Sequence, residues 1–351
     1  MTTRLGIIGT GGMGNYHAQM FKQVKGVTLT ACADIDMLRA ESYAKAHEIP
    51  KAFNNAKALL ESGLTDAVCI VTPDAFHCDN VLLAFKYGMH VLCEKPLATS
   101  LTDARKMLKA AQKSGKINMV NFSYRNSWAA RQIAKEVASG KIGRVTNVIA
   151  SYRQSWMSST VWGDWRTTPG WLWRQDTSKG SAGALGDIGV HLYDLVSFMA
   201  GPVKQLHCSL KTYTDFKGKT HAGYTLDAND SCTTLLEFEH GAQGMFMCSR
   251  FATGEANTLD VAIHGEKGAY VLRLKDADSY IQFQACTGPD AAKAAWKTVK
   301  APKAKSNYER FIEAIKKGQP LDPTFEDGYN AQKLLDASWR SAESATWVKI
   351  K

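Results

Sequence analysis

Short apolar runs alternate with stretches of helical periodicity over the first 120 positions. Residues 5–8, 27–33, 66–71, 90–93 and 117–121 read as strands, and 12–24, 75–87 and 101–113 as helices. That alternation predicts βαβ units on a parallel sheet. After residue 121 the pattern changes. A helix over 127–138 ends at Ser139-Gly140, and a strand over 145–155 follows. From about 203 to 285 the chain reads mostly as β hairpins, with 231–238 and 242–251 flanking His240-Gly241 as a turn. Helical periodicity returns at 308–317 and 327–342. The expectation is an α/β protein of two domains. Residues 1–121 form a doubly wound parallel sheet, and 122–351 a mixed domain with an antiparallel sheet.

The loop after the first strand carries the sharpest motif. Gly9-Thr10-Gly11-Gly12-Met13-Gly14 fits G-x-G-x-x-G between a strand and a helix. In that context Gly9 permits a tight turn, Gly11 lets backbone approach a pyrophosphate, and Gly14 lets helix and strand pack closely. The helix N-terminus offers N–H groups to phosphates. Asp34, 20 residues beyond Gly14, closes the second strand, where a carboxylate accepts from adenosine ribose hydroxyls. Its charge repels a 2′-phosphate and favours NAD over NADP. Arg39 is the nearby cation that would soften this preference.

Two further groups stand out. Glu94-Lys95-Pro96 follows the strand at 90–93, so Lys95 belongs at the carboxyl end of the sheet, where ligands of such folds collect. Asp187 and His191 are four residues apart in a helical stretch and share a face continued by Asp194. Glycines at 180, 183, 186 and 189 make that stretch costly as a helix, which points to close approach by a ligand or another backbone. Three readings of this pair stay open: a packed Asp–His pair, an acid–base pair, and two ligands of a metal with no third in evidence.

Composition narrows the classes. Hydrophobic residues are 45% and charged residues 22%, which excludes a disordered, collagenous or coiled-coil chain. There is no apolar run of about 18 residues, and the start of the chain does not read as a signal peptide. Eight cysteines without a CxxC pair suit buried thiols in a reducing, cytoplasmic compartment. The net charge of +10 raises nucleic acid as a partner. The densest basic stretch, 293–305, has one aromatic and no nucleic-acid module around it, so it reads as a solvated face.

Taken together, these motifs resemble the Gfo/Idh/MocA oxidoreductases. The resemblance rests on Gly9-Thr10-Gly11-Gly12-Met13-Gly14, Val71-Thr72-Pro73 with His77, Glu94-Lys95-Pro96, Trp173-Arg174, the Gly183 to Asp194 stretch, and Thr324-Phe325-Glu326-Asp327-Gly328. It departs at Asp74, where an uncharged residue often follows the Thr-Pro pair. The resemblance implies an N-terminal Rossmann domain and a C-terminal α/β domain with a large, mostly antiparallel open sheet. The helices at about 307–343 are expected to pack back on the first domain. It also implies a homodimer or homotetramer, and NAD (or NADP) as cofactor held by the glycine loop, Asp34, Thr72, Pro73, His77, Glu94 and Lys95. The family's catalytic lysine, aspartate and histidine fall on Lys95, Asp187 and His191.

The activity implied is hydride transfer between NAD(P) and a secondary alcohol of a sugar, inositol or related polyol. His191 then takes the hydroxyl proton, Asp187 orients it and Lys95 steadies the alkoxide, with Lys95 as the alternative base. Competing readings are an NADPH-dependent reductase of a dicarbonyl or anhydro sugar, a glycoside-acting enzyme with transient NAD redox, and a non-catalytic dinucleotide sensor. Five tryptophans between 156 and 173 suit stacking on sugar rings as well as a structural cluster. The substrate candidates are Lys95, Arg125, Tyr152, Trp165, Arg166, Trp173, Arg174, Asp187 and His191.

Overall fold

A computed structural model of the chain describes residues 2–213 and 220–351; residues 214–219 of the predicted hairpin region lie outside the described residues. The chain divides into two compact units, Met1–Ser123 with Lys305–Gln332, and Tyr124–Ala304 with Lys333–Lys351. Where the sequence suggests one cut between 121 and 122, the first unit is therefore assembled from two segments.

In the first unit the strands are β1 (Thr3–Ile8), β2 (Val27–Ala33), β3 (Lys51–Phe53), β4 (Ala67–Ile70), β5 (His90–Cys93) and β6 (Asn118–Val120). Between them run α1 (Gly12–Lys22), α2 (Met37–His47), α3 (Ala56–Glu61), α4 (His77–Lys86) and α5 (Leu101–Ser114). All strands pair in parallel in the order β3-β2-β1-β4-β5-β6. Parallel strands covered by helices on both faces must be apolar throughout. Accordingly Leu5, Ile7, Val68, Cys69, Val91 and Leu92 are wholly buried. The strand order reverses between β1 and β4, which leaves a crevice outside their carboxyl ends.

The elements between 34 and 65 escaped the sequence reading. β3 has three residues, too few for a period, and α2 and α3 are marked chiefly by their caps. Asp36 accepts from Arg39 N, and Asn55 from Ala58 N. The helix Asn307–Lys317 opens with a Ser306–Glu309 capping box and buries Tyr308, Phe311 and Ile312 in one cluster with Leu5, Ile7, Phe21 and Met119. That burial is why 305–332 belongs to the first unit.

The second unit is built on a nine-stranded sheet. Its strands in chain order are β7 (Val145–Gln154), β8 (Val203–Lys211), β9 (Thr220–His221), β10 (Tyr224–Thr225), β11 (Ser231–Phe238), β12 (Gln243–Ser249), β13 (Asn257–Gly265), β14 (Gly268–Leu274), β15 (Gln282–Thr287), β16 (Lys297–Lys300) and β17 (Val348–Lys349). β9 and β10 form a separate ribbon. The sheet order is β16-β15-β14-β13-β7-β12-β11-β8-β17, antiparallel except where β7 meets β12. The helices α6 (Trp128–Ala138), α7 (Pro169–Leu172) and α8 (Val190–Ala200) complete the unit, followed by the end of the helix Phe325–Ser344.

The strands obey period-two burial. Val148, Ala150 and Tyr152 of β7 face inward with Phe246 and Cys248 of β12. Ile149, Leu235, Met245 and Met247 face outward and stay exposed. Among the described residues no helix is long and apolar enough to cross a membrane. All eight cysteines are buried and unbridged.

Candidate functional site

In the first unit the loop after β1 is shaped by two steric necessities. Gly9 has φ +100°, and a Cβ there would lie 2.6 Å from the Val71 carbonyl oxygen. A Cβ on Gly14 would lie 2.4 Å from the Gly9 carbonyl oxygen. Around Gly11 and Gly12, by contrast, a Cβ would meet nothing within 4 Å. Backbone here is open at the first turn of α1, where N–H groups lack helical partners and the dipole favours anions. Met13 beside it is half exposed.

Asp34, at the end of β2, is tied to the same loop. Its Oδ2 accepts from Thr10 N at 2.9 Å and Thr10 Oγ1 at 2.8 Å, and Arg39 donates to Oδ1 at 2.5 Å. Burial would raise the carboxyl pKa, but Arg39 and the Thr10 donors outweigh it and hold the group well below the usual carboxylate range. Thr72, after β4, keeps a buried Oγ1 without a protein partner. Pro73 beside it is exposed. An open glycine rim, an ionised ribose-side carboxylate and an orphaned hydroxyl fit a dinucleotide.

Two residues expected to touch cofactor have other partners. His77 is fully buried, and its ring nitrogens face the carbonyl oxygens of Pro96 and Thr72, each at 2.9 Å. It braces the chain after β4 against the chain after β5. Glu94 accepts from His17 Nε2 and Asn121 Nδ2, both at 2.7 Å, and from Lys95 N at 3.1 Å. Burial alone would raise its pKa, yet His17 and Asn121 pull it down to about 2. The Glu94 carboxylate thereby fixes the end of β5, from which half-buried Lys95 emerges.

In the second unit the glycine-rich stretch departs from the expected helix. Leu185–Gly189 is a π-helical turn that runs into α8. Such widened turns recur at functional sites, and Asp187 sits within this one while His191 opens α8. Two of the glycines answer to the protein's own side chains, while around Gly180 a Cβ would meet nothing within 4 Å. A Cβ on Gly183 would lie 2.2 Å from Asn229 Nδ2, and one on Gly186 2.2 Å from Ala182 Cβ.

Asp187 is held by a residue the sequence reading missed. Arg250, one step past β12 and wholly buried, donates to Asp187 Oδ2 at 2.8 Å. Arg174 approaches the same oxygen at 3.8 Å. The His191 ring stands edge-on to Tyr124 with centroids 4.9 Å apart, near Tyr152 at 6.2 Å. Tyr152 is buried and donates to Asn257 Oδ1 at 2.9 Å. Its own burial, then Tyr124 and Asp187, push the phenol pKa well up. Among the described residues no group of three His, Cys, Asp or Glu is placed to hold a metal ion.

Several substrate candidates prove to have structural places. Arg125 is buried and forms a forked pair with Asp194, its Nε 2.9 Å from Oδ2, while its guanidinium covers Phe198 at 4.4 Å. A polar group so buried demands such a partner, and here it fastens the chain before α6 to α8. Trp165 is buried beside Trp156, Met157, Leu172 and Leu226, and its indole N–H donates to the Met157 carbonyl at 3.2 Å. The tryptophan cluster is thus partly a small core. Arg166 is exposed, lying over Trp165 and beside Asp164. Trp173 remains part-exposed under Arg174, whose guanidinium carbon lies 4.6 Å from the ring centroid.

Comparison with known proteins matches both parts of the chain to one family. Residues 3–122 match the GFO_IDH_MocA model, an oxidoreductase family with an NAD-binding Rossmann fold, and 130–271 match the GFO/IDH/MocA C-terminal domain. The chain is 25% identical to levoglucosan dehydrogenase of Pseudarthrobacter phenanthrenivorans, over 99% of this chain and 97% of the relative. It is 27% identical to inositol 2-dehydrogenase of Rhizobium meliloti over the whole of both. Among solved structures, an oxidoreductase domain protein from Kribbella flavida superimposes with TM-score 0.90 at 28% identity, covering both chains fully. Levoglucosan dehydrogenase in complex with NADH and levoglucosan shares the fold, with TM-score 0.89 at 24% identity over all of both chains.

Proposed function

Because the chain belongs to the Gfo/Idh/MocA oxidoreductase family, which binds NAD on a Rossmann fold, we propose that it oxidises a ring hydroxyl of a sugar or cyclic polyol. The named relatives include dehydrogenases of levoglucosan, of D-glucosides and of inositol. The observation that carries the reading is the Asp187 turn, a carboxylate anchored by a buried arginine one turn from His191.

The bound nicotinamide supplies the hydride acceptor. The Gly9–Gly14 loop and Asp34 hold the dinucleotide, with Thr72 Oγ1 as a further donor. His191 takes the hydroxyl proton, since an imidazole is poised for that transfer near neutral pH. Asp187 steadies the imidazolium. Lys95 brings a compact positive charge to the oxygen as it becomes an alkoxide. Arg174, beside Asp187, and Trp173 beneath it suit the hydroxyls and the apolar face of a sugar ring.

The test is a turnover screen that follows NADH absorbance over inositols, aldoses, sugar acids, anhydro sugars and glycosides with NAD and with NADP. One sugar class should turn over with NAD, at a kcat/KM at least about tenfold above that with NADP, since Asp34 is already ionised. Arg39→Ala should widen this preference by unmasking the Asp34 charge. Measurable NAD(H) affinity with no turnover by either cofactor would overturn the reading in favour of a sensor or a bound-cofactor glycosidase.

Two coarser proposals accompany it. The exposed apolar row Ile149, Leu235, Met245 and Met247 on the open sheet face supports a homodimer or homotetramer. Light scattering should therefore give a multiple of the 38.5 kDa chain mass, and Met245→Lys should lower it. Eight unbridged cysteines support a reducing, cytoplasmic setting.

A further inference from the structure

We propose that Arg250 is the positioning residue of the reaction, fixing the Asp187 carboxylate from beneath the widened turn. This rests on the reading of Asp187 as the partner of His191, and it adds a group outside the residues that touch cofactor or substrate.

The geometry is specific. Arg250 has no solvent exposure, whereas the Asp187 side chain keeps 29% of its surface accessible. One terminal nitrogen donates to Asp187 Oδ2 at 2.8 Å and to the Gly183 carbonyl at 3.2 Å, and the other to the Arg174 carbonyl at 3.1 Å. The guanidinium carbon lies 5.2 Å from the Trp156 ring centroid. A single planar cation therefore ties together Asp187, the entry to the π-helical turn and the chain that carries Arg174.

The backbone of Arg250 is pinned as well. Its N–H donates to the Asp230 carbonyl at 2.9 Å, and its own carbonyl accepts from Met157 N at 3.2 Å. The side chain therefore starts from a fixed point, beside the start of β11 and the chain after β7.

The chemistry explains why arginine stands here. A buried cation is tolerated only when paired and hydrogen-bonded. The pairing is asymmetric, because the cation is wholly desolvated and the anion faces outward. Such an arrangement favours the Asp187 orientation that keeps Oδ2 on Arg250. Lysine supplies one point charge and cannot span three acceptors in a plane. Arg250→Met keeps an unbranched stem as far as the position of Nε and removes both charge and fork.

The experiment is a double-mutant cycle on the full chain with Arg250→Met, Asp187→Asn and the double variant. It is read by sugar kcat and KM, by the affinity for NADH, and by thermal unfolding without ligand. Arg250→Met should lower kcat by roughly 10²-fold, the scale of a small misplacement at a reacting centre. NADH affinity should stay within about twofold of the parent, and Arg250→Lys should recover part of kcat. In an Asp187→Asn background the same substitution should have no further effect on kcat.

In unfolding, Asp187→Asn alone strands a buried cation, so the double variant should melt above it. Strictly additive effects in both readouts, or an unchanged kcat in Arg250→Met, overturn the proposal. Should methionine not be accommodated, Arg250→Lys with and without Asp187→Asn gives the same cycle. If the parent enzyme turns over no sugar, the reading of Asp187 and His191 fails. The unfolding cycle still decides whether Arg250 and Asp187 are coupled.

Discussion

Lys95→Met is expected to lower kcat by roughly 10²-fold or more while NAD(H) still binds. The residue follows strand β5, whose Val91, Leu92 and Cys93 are wholly buried, and is itself half-buried, with its backbone N–H tethered to Glu94 Oε2. Its ammonium sits on a four-carbon stem rooted in a fixed strand end, so charge can be aimed with little reorganisation. Methionine preserves the stem and removes only the cation. The loss should fall on kcat, because the cation stabilises the developing alkoxide more than the neutral hydroxyl. NADH titration by fluorescence checks that the proposed dinucleotide cradle of the glycine loop and Asp34 is intact.

His191→Asn should produce a loss of the same order by removing the proposed base. If one variant retains turnover and the other does not, the base is identified by the one that fails. Turnover close to the parent in both would overturn the assignment. The two substitutions also separate the sensor reading from the enzyme, since a sensor would lose nothing measurable in NADH affinity and have no kcat to lose.

What the sequence showed and what it hid follow from the range of the interactions involved. The glycine loop was legible because its steric demands are local. Gly9 and Gly14 answer to backbone within the same strand–turn–helix unit and its neighbour β4. Strand–helix alternation likewise records burial of successive elements on one sheet. The spacing of Asp187 and His191 put them on one helical face but carried no sign of the widened turn, which begins beside Asn229 and Ala182.

Arg250 lies 63 residues from Asp187 and Glu94 lies 77 from His17. No periodicity links such pairs. The signal that existed was a lone arginine at the end of an otherwise apolar strand, Ser249-Arg250-Phe251, which burial made costly and therefore demanding of a partner. The aromatic run at 156–173 misled for a related reason. Tryptophan suits a sugar face and a small core equally, and Trp156 and Trp165 went into the core.

Glu94→Gln is expected to lower the melting temperature of the first unit by about 6–12 °C at neutral pH, from a loss of roughly 3 kcal/mol. The carboxylate is buried and surrounded by donors alone: His17 Nε2, Asn121 Nδ2 and the Lys95 amide. His17 has one tautomer that satisfies both ring nitrogens, donating through Nε2 to Glu94 and accepting at Nδ1 from the Cys69 thiol at 3.1 Å. Glutamine offers one acceptor oxygen and turns an N–H₂ group toward a second donor, so a buried polar group is left unmatched.

The sign of the pH dependence follows from the depressed pKa. The Glu94 carboxyl titrates at about 2 in the folded chain against an ordinary value of 4.5. The unfolded chain therefore takes up the proton first as pH falls. The contribution of Glu94 is fully present above about pH 4.5 and is lost between there and pH 2. Glu94→Gln has no such group, so the gap between parent and variant should be widest near neutrality and close as the medium is acidified. Melting curves collected from pH 7 down to the acid limit measure that gap directly. A constant difference across the range would show that the substitution acts through packing and not through the charge of Glu94. The proposed anchoring of the strand that carries Lys95 would then have to be sought in Asn121 and His17 alone.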